Sequence, residues 1–367
     1  MNPYYSRSKH REDAAIRSSH TMNNSTVHIC TWIHCDFTGE ESNYPQVGRI
    51  SSSPEFQEVY WRCAIVYFAS SIRNNPQANH ILFTNINQNK IPNTGKFKTQ
   101  DFLVDKNVKI VTLPFTYQPP KNYFQKWRNQ FYLFDIMKYL SNNSGLYDSL
   151  ILLDSDCVWI DSVDKIVADL EKYGVLTYEI DYPPAHKIIG LSRLEMQTIY
   201  EELDNKSLEE LPKYFGGEWF AASGREIRKI AAEIDSTWEW SLRKFAHNQP
   251  KFNESSYNLS YIYHKLGYDA GTGNPYIRRI WTTLFRNNNA SSEDFKLHIW
   301  HMLAEKKYGI KRLFKEVSNP ESLFWKLPPG KPFAEYAGRY LGIPKRTPLK
   351  LSLDLFDAVK SRLRKKI

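Results

Sequence analysis

The sequence predicts an α/β fold, a mixed and mostly parallel sheet flanked by helices, followed by a helical C-terminal extension. Three observations carry this. Short apolar runs (VHICTW, HILFT, VKIVTL and LILL) alternate with amphipathic stretches through the first half, and strand–helix alternation is the signature of a parallel sheet. Leu150–Leu153 is apolar throughout, as in a strand buried on both faces. A chain of 367 residues, 41% hydrophobic and 14% aromatic, is long enough to bury a large core.

In chain order, Val27–Trp32 is the first expected strand, followed by a polar loop with Gly39, Pro45 and Gly48. Phe56, Tyr60, Cys63 and Tyr67 recur at helical spacing, predicting a helix to about Arg73 that Asn74-Asn75-Pro76 stops. Strands at His80–Thr84 and Val108–Leu113 bracket a polar, hairpin-like insert. Trp127, Phe131, Phe134 and Met137 mark the next helix face, which ends just before Leu150–Leu153. Val163, Ile166, Val167 and Leu170 form one stripe of a helix capped by Asp161 or Ser162 and stopped by Gly174. A strand then starts at Val175–Tyr178. The second half reads as helices at Arg225–Ile234 and Ser255–Leu266, with strand-like pieces at Trp219–Ala222 and Phe295–Trp300. The expected division is a flexible lead over 1–25, a catalytic domain over 26–318 and an extension over 319–367.

The first twenty residues lack an apolar h-region, and no apolar run approaches the roughly 18–20 residues of a membrane span. Cys30, Cys35, Cys63 and Cys157 form no CxxC, which fits a reduced, cytoplasmic chain. A net charge of +9 favours an anionic partner. The last segment, LSLDLFDAVKSRLRKKI, places Leu353, Phe356, Val359 and Leu363 on one side and Lys and Arg on the other. A helix of this kind can lie on an anionic membrane, peripheral at the inner face. It reads equally well as an ordinary terminal helix packed on the domain.

Four patches could carry chemistry. Asp154-Ser155-Asp156 ends the apolar strand, and carboxylate oxygens at the C-terminal edge of a sheet suit Mg²⁺ or Mn²⁺; the same residues also suit a plain turn. In YFGGEWFAASG, Gly216 and Gly217 would let the backbone approach a ligand or adopt positive φ. In FNESSYNLS, Asn253 or Ser255–Ser256 can begin a helix, with Glu254 at its N-terminus. In FKLHIWHMLAEKK, His298 or His301 could ligate a metal, while Lys306, Lys307, Lys311 and Arg312 could meet phosphates.

The order of these patches resembles the GT-A glycosyltransferases, enzymes with a Rossmann-like sheet that use nucleotide sugars. YFGGEWFAASG and FNESSYNLSYIYHKLGY look locally like the blood-group and α-1,3-galactosyltransferase family, with Asn253 where that family has Asp. The resemblance covers roughly Val27–Lys315. It implies a hexosyltransferase using a nucleotide-diphosphate sugar, a UDP-sugar foremost, and a glycan or lipid-linked acceptor. It places Asp154 near the ribose and metal, and Asp156 on a Mn²⁺ or Mg²⁺ that bridges the diphosphate, with His298 or His301 as third protein ligand. Lys306, Lys307 or Lys311 would add charge at the diphosphate, and Lys126 and Arg128 are further phosphate or ribose candidates. Thr31 and Trp32 fall where such folds grip the base. Glu254 would lie nearest the anomeric carbon, with Glu218 as runner-up.

Two other classes compete. A nucleotidyltransferase also uses carboxylates and metal, but needs a glycine-rich phosphate loop, and Val27–Gly39 holds one glycine. A nucleic-acid-binding protein would use the positive charge. The basic residues are dispersed until the extreme C-terminus, so no nucleic acid is expected as partner.

Overall fold

The computed structural model describes residues 25–48, 50–283 and 287–363. The lead expected over 1–25 therefore lies almost wholly outside the described residues, as do residues 364–367 and the side chain of Leu363.

The main sheet has six strands in the order β3-β2-β1-β4-β7-β6. These are β1 (Val27–Ile33), β2 (Asn79–Thr84), β3 (Lys109–Thr112), β4 (Ser149–Leu153), β6 (Val175–Leu176) and β7 (Trp219–Ser223). The pairs β3–β2, β2–β1 and β1–β4 are parallel, whereas β7 runs antiparallel to both β4 and β6. This is the mixed, mostly parallel sheet that the apolar runs predict. A second sheet, ordered β5-β9-β8, joins Cys157–Trp159, Ile299–His301 and Ile277–Arg279 respectively.

The helices are α1 (Pro54–Asn74), α2 (Thr99–Asp105), α3 (Tyr132–Asn143), α4 (Asp164–Tyr173), α5 (Arg193–Asp204), α6 (Gly224–Ala246), α7 (Ser255–Leu266), α8 (Gly309–Val317), α9 (Leu323–Lys326), α10 (Lys331–Leu341) and α11 (Pro348–Leu363). Side-chain alternation along the strands divides the core. Cys30, Trp32, Leu150, Leu152 and Phe220 face α3, α5, α6 and α7. Ile29, Ile33, Ile151, Leu153 and Trp219 face α1 and α4. The opposite face of α1, with Cys63, Val66 and Ala69, shares a third cluster with Trp300, Leu313, Phe324, Phe333 and Leu341. Chain from beyond position 319 is thus packed against α1. All four cysteines are buried and unpaired. No helix among the described residues is long and apolar enough to cross a membrane.

Local signals explain most boundaries. Ser53 caps α1 through the Phe56 N–H, with Pro54 in the first turn. Ser192 and Glu195 form a capping box on α5. Gly174 ends α4 at φ 77°, a conformation glycine adopts without strain. Several expectations need correction. Neither Asp161 nor Ser162 caps α4: Val163 is the N-cap, and Ser162 Oγ donates instead to Asp164. Trp127 stands outside α3 with φ 48°, beyond a short 3-10 turn at Arg128–Phe131. The polar insert contains α2. The strand expected over Phe295–Trp300 begins only at Ile299, because Asp294 accepts from the Ser291 N–H at 2.8 Å and coils Ser292–Lys296 into a 3-10 turn.

Candidate active site

β4 carries its apolar residues to the C-terminal edge of the sheet and stops at Asp154, whose N–H donates to the Glu218 carbonyl at 3.2 Å. The antiparallel register of β4 and β7 pairs Leu153 with Trp219, which sets Glu218 beside Asp154. The chain then turns into β5, whose Cys157 is paired with His301 of β9, so His301 returns against Asp156. The Met302 N–H donates to the Asp156 carbonyl at 3.1 Å and fixes this closure. The site is therefore built where the two sheets meet.

Asp154, Asp156 and His301 offer ligand atoms that all lie within 4.8 Å of one another. His301 Nε2 is 3.4 Å from Asp156 Oδ1 and 3.8 Å from Asp154 Oδ2, and its Nδ1 is 3.5 Å from Glu218 Oε1. Both ring nitrogens are nevertheless buried without a hydrogen-bond partner. Buried polar atoms are rarely left so, and an imidazole nitrogen close to two carboxylates has the chemistry of a metal-ligand set. The donor set fits a divalent cation. A nitrogen ligand beside two carboxylates suits Mn²⁺ better than Mg²⁺, which prefers an all-oxygen shell.

The surrounding charges are paired across the cleft. Lys306 Nζ donates to Asp156, and Arg279 forms a two-pronged contact with Glu218, its Nη2 at 2.7 Å from Oε2. Burial alone would raise the Asp156 carboxyl, but Lys306 and then His301 hold it well below the usual carboxylate range. Glu218 is likewise held low, by Arg279 and His301 against its burial. Burial raises Asp154 to about 7, helped by the Asp156 charge. Burial would lower His301, yet Asp156 and Glu218 raise it to about 9.

Glu254 is the N-cap of α7, its carboxylate accepting from the Ser256 N–H at 3.2 Å and from the Ser256 hydroxyl. Burial raises its pKa to about 7, so near neutral pH it can either hold or accept a proton. Asn253 sits outside the helix and binds the Ile189 carbonyl at 3.0 Å. Asp154, Asp156, Glu218, Glu254, His301 and Lys306 all line one cleft of ≈ 320 Å³, together with Trp32 and Gly217.

Other predicted site residues lie elsewhere. His298 points away: its Nδ1 donates to the Ser162 carbonyl at 2.7 Å, because residues three apart in extended chain face opposite ways. Thr31 is buried in β1 and donates to the Leu153 carbonyl at 2.8 Å. Arg128 donates to the Pro119 carbonyl at 2.8 Å, Lys126 is exposed, and Lys307 binds the Val47 carbonyl at 3.0 Å. Lys311, on α8, is not among the residues lining the cleft. Gly216 gives room to the Glu218 carboxylate rather than to a ligand, and neither Gly216 nor Gly217 has positive φ. Sequence reasoning missed Arg279, Tyr60, Trp127 and Trp281 on the cleft wall. Arg279 lies in an ordinary YIRRIW run, and nothing local marks its partner.

No family model matches the chain, and no curated protein matches it. Among solved structures it is similar to mouse xyloside xylosyltransferase 1 in its apo form, at 11% identity and a TM-score of 0.44. That likeness covers 75% of this chain and 97% of the other. It carries no weight for chemistry, and the blood-group resemblance has no counterpart in it. The strand order itself is consistent with a GT-A-like fold.

Proposed function

We propose that the chain is a metal-dependent glycosyltransferase, moving a hexose-type sugar from a nucleotide-diphosphate sugar, a UDP-sugar foremost, to a glycan or lipid-linked acceptor. The observation behind this reading is the convergence of Asp154, Asp156 and His301, whose ring nitrogens make no hydrogen bond, at the C-terminal edge of a parallel sheet. Asp154, Asp156 and His301 would hold Mn²⁺ or Mg²⁺. Such an ion neutralises charge that develops on a diphosphate leaving group. Lys306, already beside Asp156, is placed to add to that neutralisation. Trp32 supplies an apolar wall suited to a base. Glu254, poised near neutrality, is the candidate to take a proton from the acceptor or to face the anomeric carbon. Arg279 keeps Glu218 ionised and oriented against His301. The four buried free thiols suit a reducing, cytoplasmic setting.

A thermal-shift panel of UDP-, GDP-, CMP- and dTDP-sugars, each with and without Mn²⁺, tests the reading. The expected result is stabilisation by one nucleotide class that requires the ion. No stabilisation by any sugar nucleotide, alongside a shift with nucleic acid, would overturn it.

A further inference from the structure

The terminal helix α11 is mounted in an unusual orientation. Lys350 and Asp354, one turn apart, are 2% and 5% exposed. Lys350 Nζ donates to Glu305 Oε2 at 2.8 Å and to Asp354 Oδ2 at 2.9 Å. Arg346 reaches Asp354 at 3.1 Å and Glu305 at 3.4 Å, and Arg312 contacts Asp354 as well. Lys350 and Asp354 are thus directed inward. Its other face carries Leu349 at 69% exposure, Leu353 at 40%, Leu355 at 51%, Phe356 at 65% and Val359 at 55%. At 100° per residue these five fall on one side of the helix, and a solvated helix normally shows the opposite arrangement. Breaking a buried ion cluster leaves charges unpaired, so the cluster fixes the rotation and keeps the apolar face outward.

The sequence around this face indicates what covers it. After Val359 the chain reads KSRLRKKI, with Lys360, Arg362, Arg364, Lys365 and Lys366 and no acidic residue. Two copies docking in parallel through α11 would bring those cations together, which disfavours that arrangement. An anionic lipid surface meets both features at once: apolar side chains enter the acyl boundary while lysine and arginine meet phosphates. We infer that α11 is a membrane-docking helix whose Leu349–Val359 face enters a bilayer surface containing anionic phospholipid. This stands apart from the reading of the cleft.

The test is flotation of the full chain with vesicles of phosphatidylcholine alone or mixed with phosphatidylglycerol. The wild-type chain is expected to float with the mixed vesicles and to lose binding at high salt. Leu353→Glu with Phe356→Glu is expected to weaken partition by at least about tenfold, while the melting temperature and any nucleotide-dependent thermal shift stay unchanged. Neither side chain belongs to the buried core, Leu353 being 40% and Phe356 65% exposed. A second variant, with Lys360, Arg362, Lys365 and Lys366 changed to Gln, is expected to bind mixed vesicles no better than neutral ones. Equal vesicle binding by the wild type and the Leu353→Glu, Phe356→Glu variant overturns the inference, as does failure of the wild type to bind at all. A dimer in analytical ultracentrifugation that the same variant splits, without vesicle binding, assigns the face to a second copy and also overturns it.

Discussion

His301 makes metal-free stability depend on pH in a calculable way. Its imidazole is buried between Asp156 and Glu218, and their charges raise it from the ordinary 6.5 to about 9. Below pH 6.5 the ring is protonated in both folded and unfolded chain, and its ion-pair stabilisation is fully present. Between 6.5 and 9 the folded chain keeps a proton that the unfolded chain has lost, so stability falls as pH rises. At about 1.36 kcal/mol per pH unit, the 2.5-unit window amounts to roughly 3 kcal/mol. Urea unfolding of chelator-treated protein from about pH 6 to about pH 9, for the wild type and His301→Gln, isolates this contribution as their difference. The difference is expected to shrink by roughly that amount across the window. A pH-independent difference would refute the assignment of His301 as a buried imidazolium in the metal-free state. The same proton must leave before the ring can ligate, so apparent Mn²⁺ affinity should rise by up to about tenfold per pH unit until about pH 9.

Three further outcomes follow from the geometry. Asp156→Ala should abolish Mn²⁺-induced thermal stabilisation and reduce nucleotide-sugar turnover by at least about 10³-fold; unchanged turnover sinks the metal assignment. Glu254→Gln should lower kcat by about 10²–10⁴-fold and remove the ionisation near pH 7 from the rate profile, with calorimetry showing an intact fold. Thr31→Val should cost about 1 kcal/mol of stability through its lost bond to the Leu153 carbonyl. Its KM for donor should stay unchanged, and a tenfold rise would return Thr31 to the binding surface.

The sheet was readable because parallel strands buried on both faces are apolar without interruption, as Leu150–Leu153 shows. α7 was readable over its whole length, Ser255–Leu266, because helix periodicity and a carboxylate at its start agree. Asp154 and Asp156 stood out as charges ending such a strand. What eluded reading depends on register between distant segments. Arg279 meets Glu218 across 61 residues through two different sheets, and no periodicity encodes that. β5, three residues long, exists only because β9 lies beside it. The histidine pair was an avoidable ambiguity: strand parity already separates His298 from His301. Of the lysines and arginines offered as phosphate contacts, Lys306 lines the cleft, whereas backbone carbonyls of loops claim Lys307 and Arg128.

Glu305 and Lys306 are neighbours that face opposite ways, one held by Lys350 of the terminal helix and the other by Asp156. A single peptide unit therefore joins the terminal helix to a buried carboxylate of the cleft. Cutting the chain after Lys350 would remove Asp354, the carboxylate that Lys350, Arg346 and Arg312 share. Truncation is expected to disturb the ion cluster around Glu305, whereas substitutions on the exposed apolar side leave that cluster intact. The terminal helix is tied into the same short segment as the cleft lysine, and tail length becomes a poor variable for separating the roles of helix and cleft.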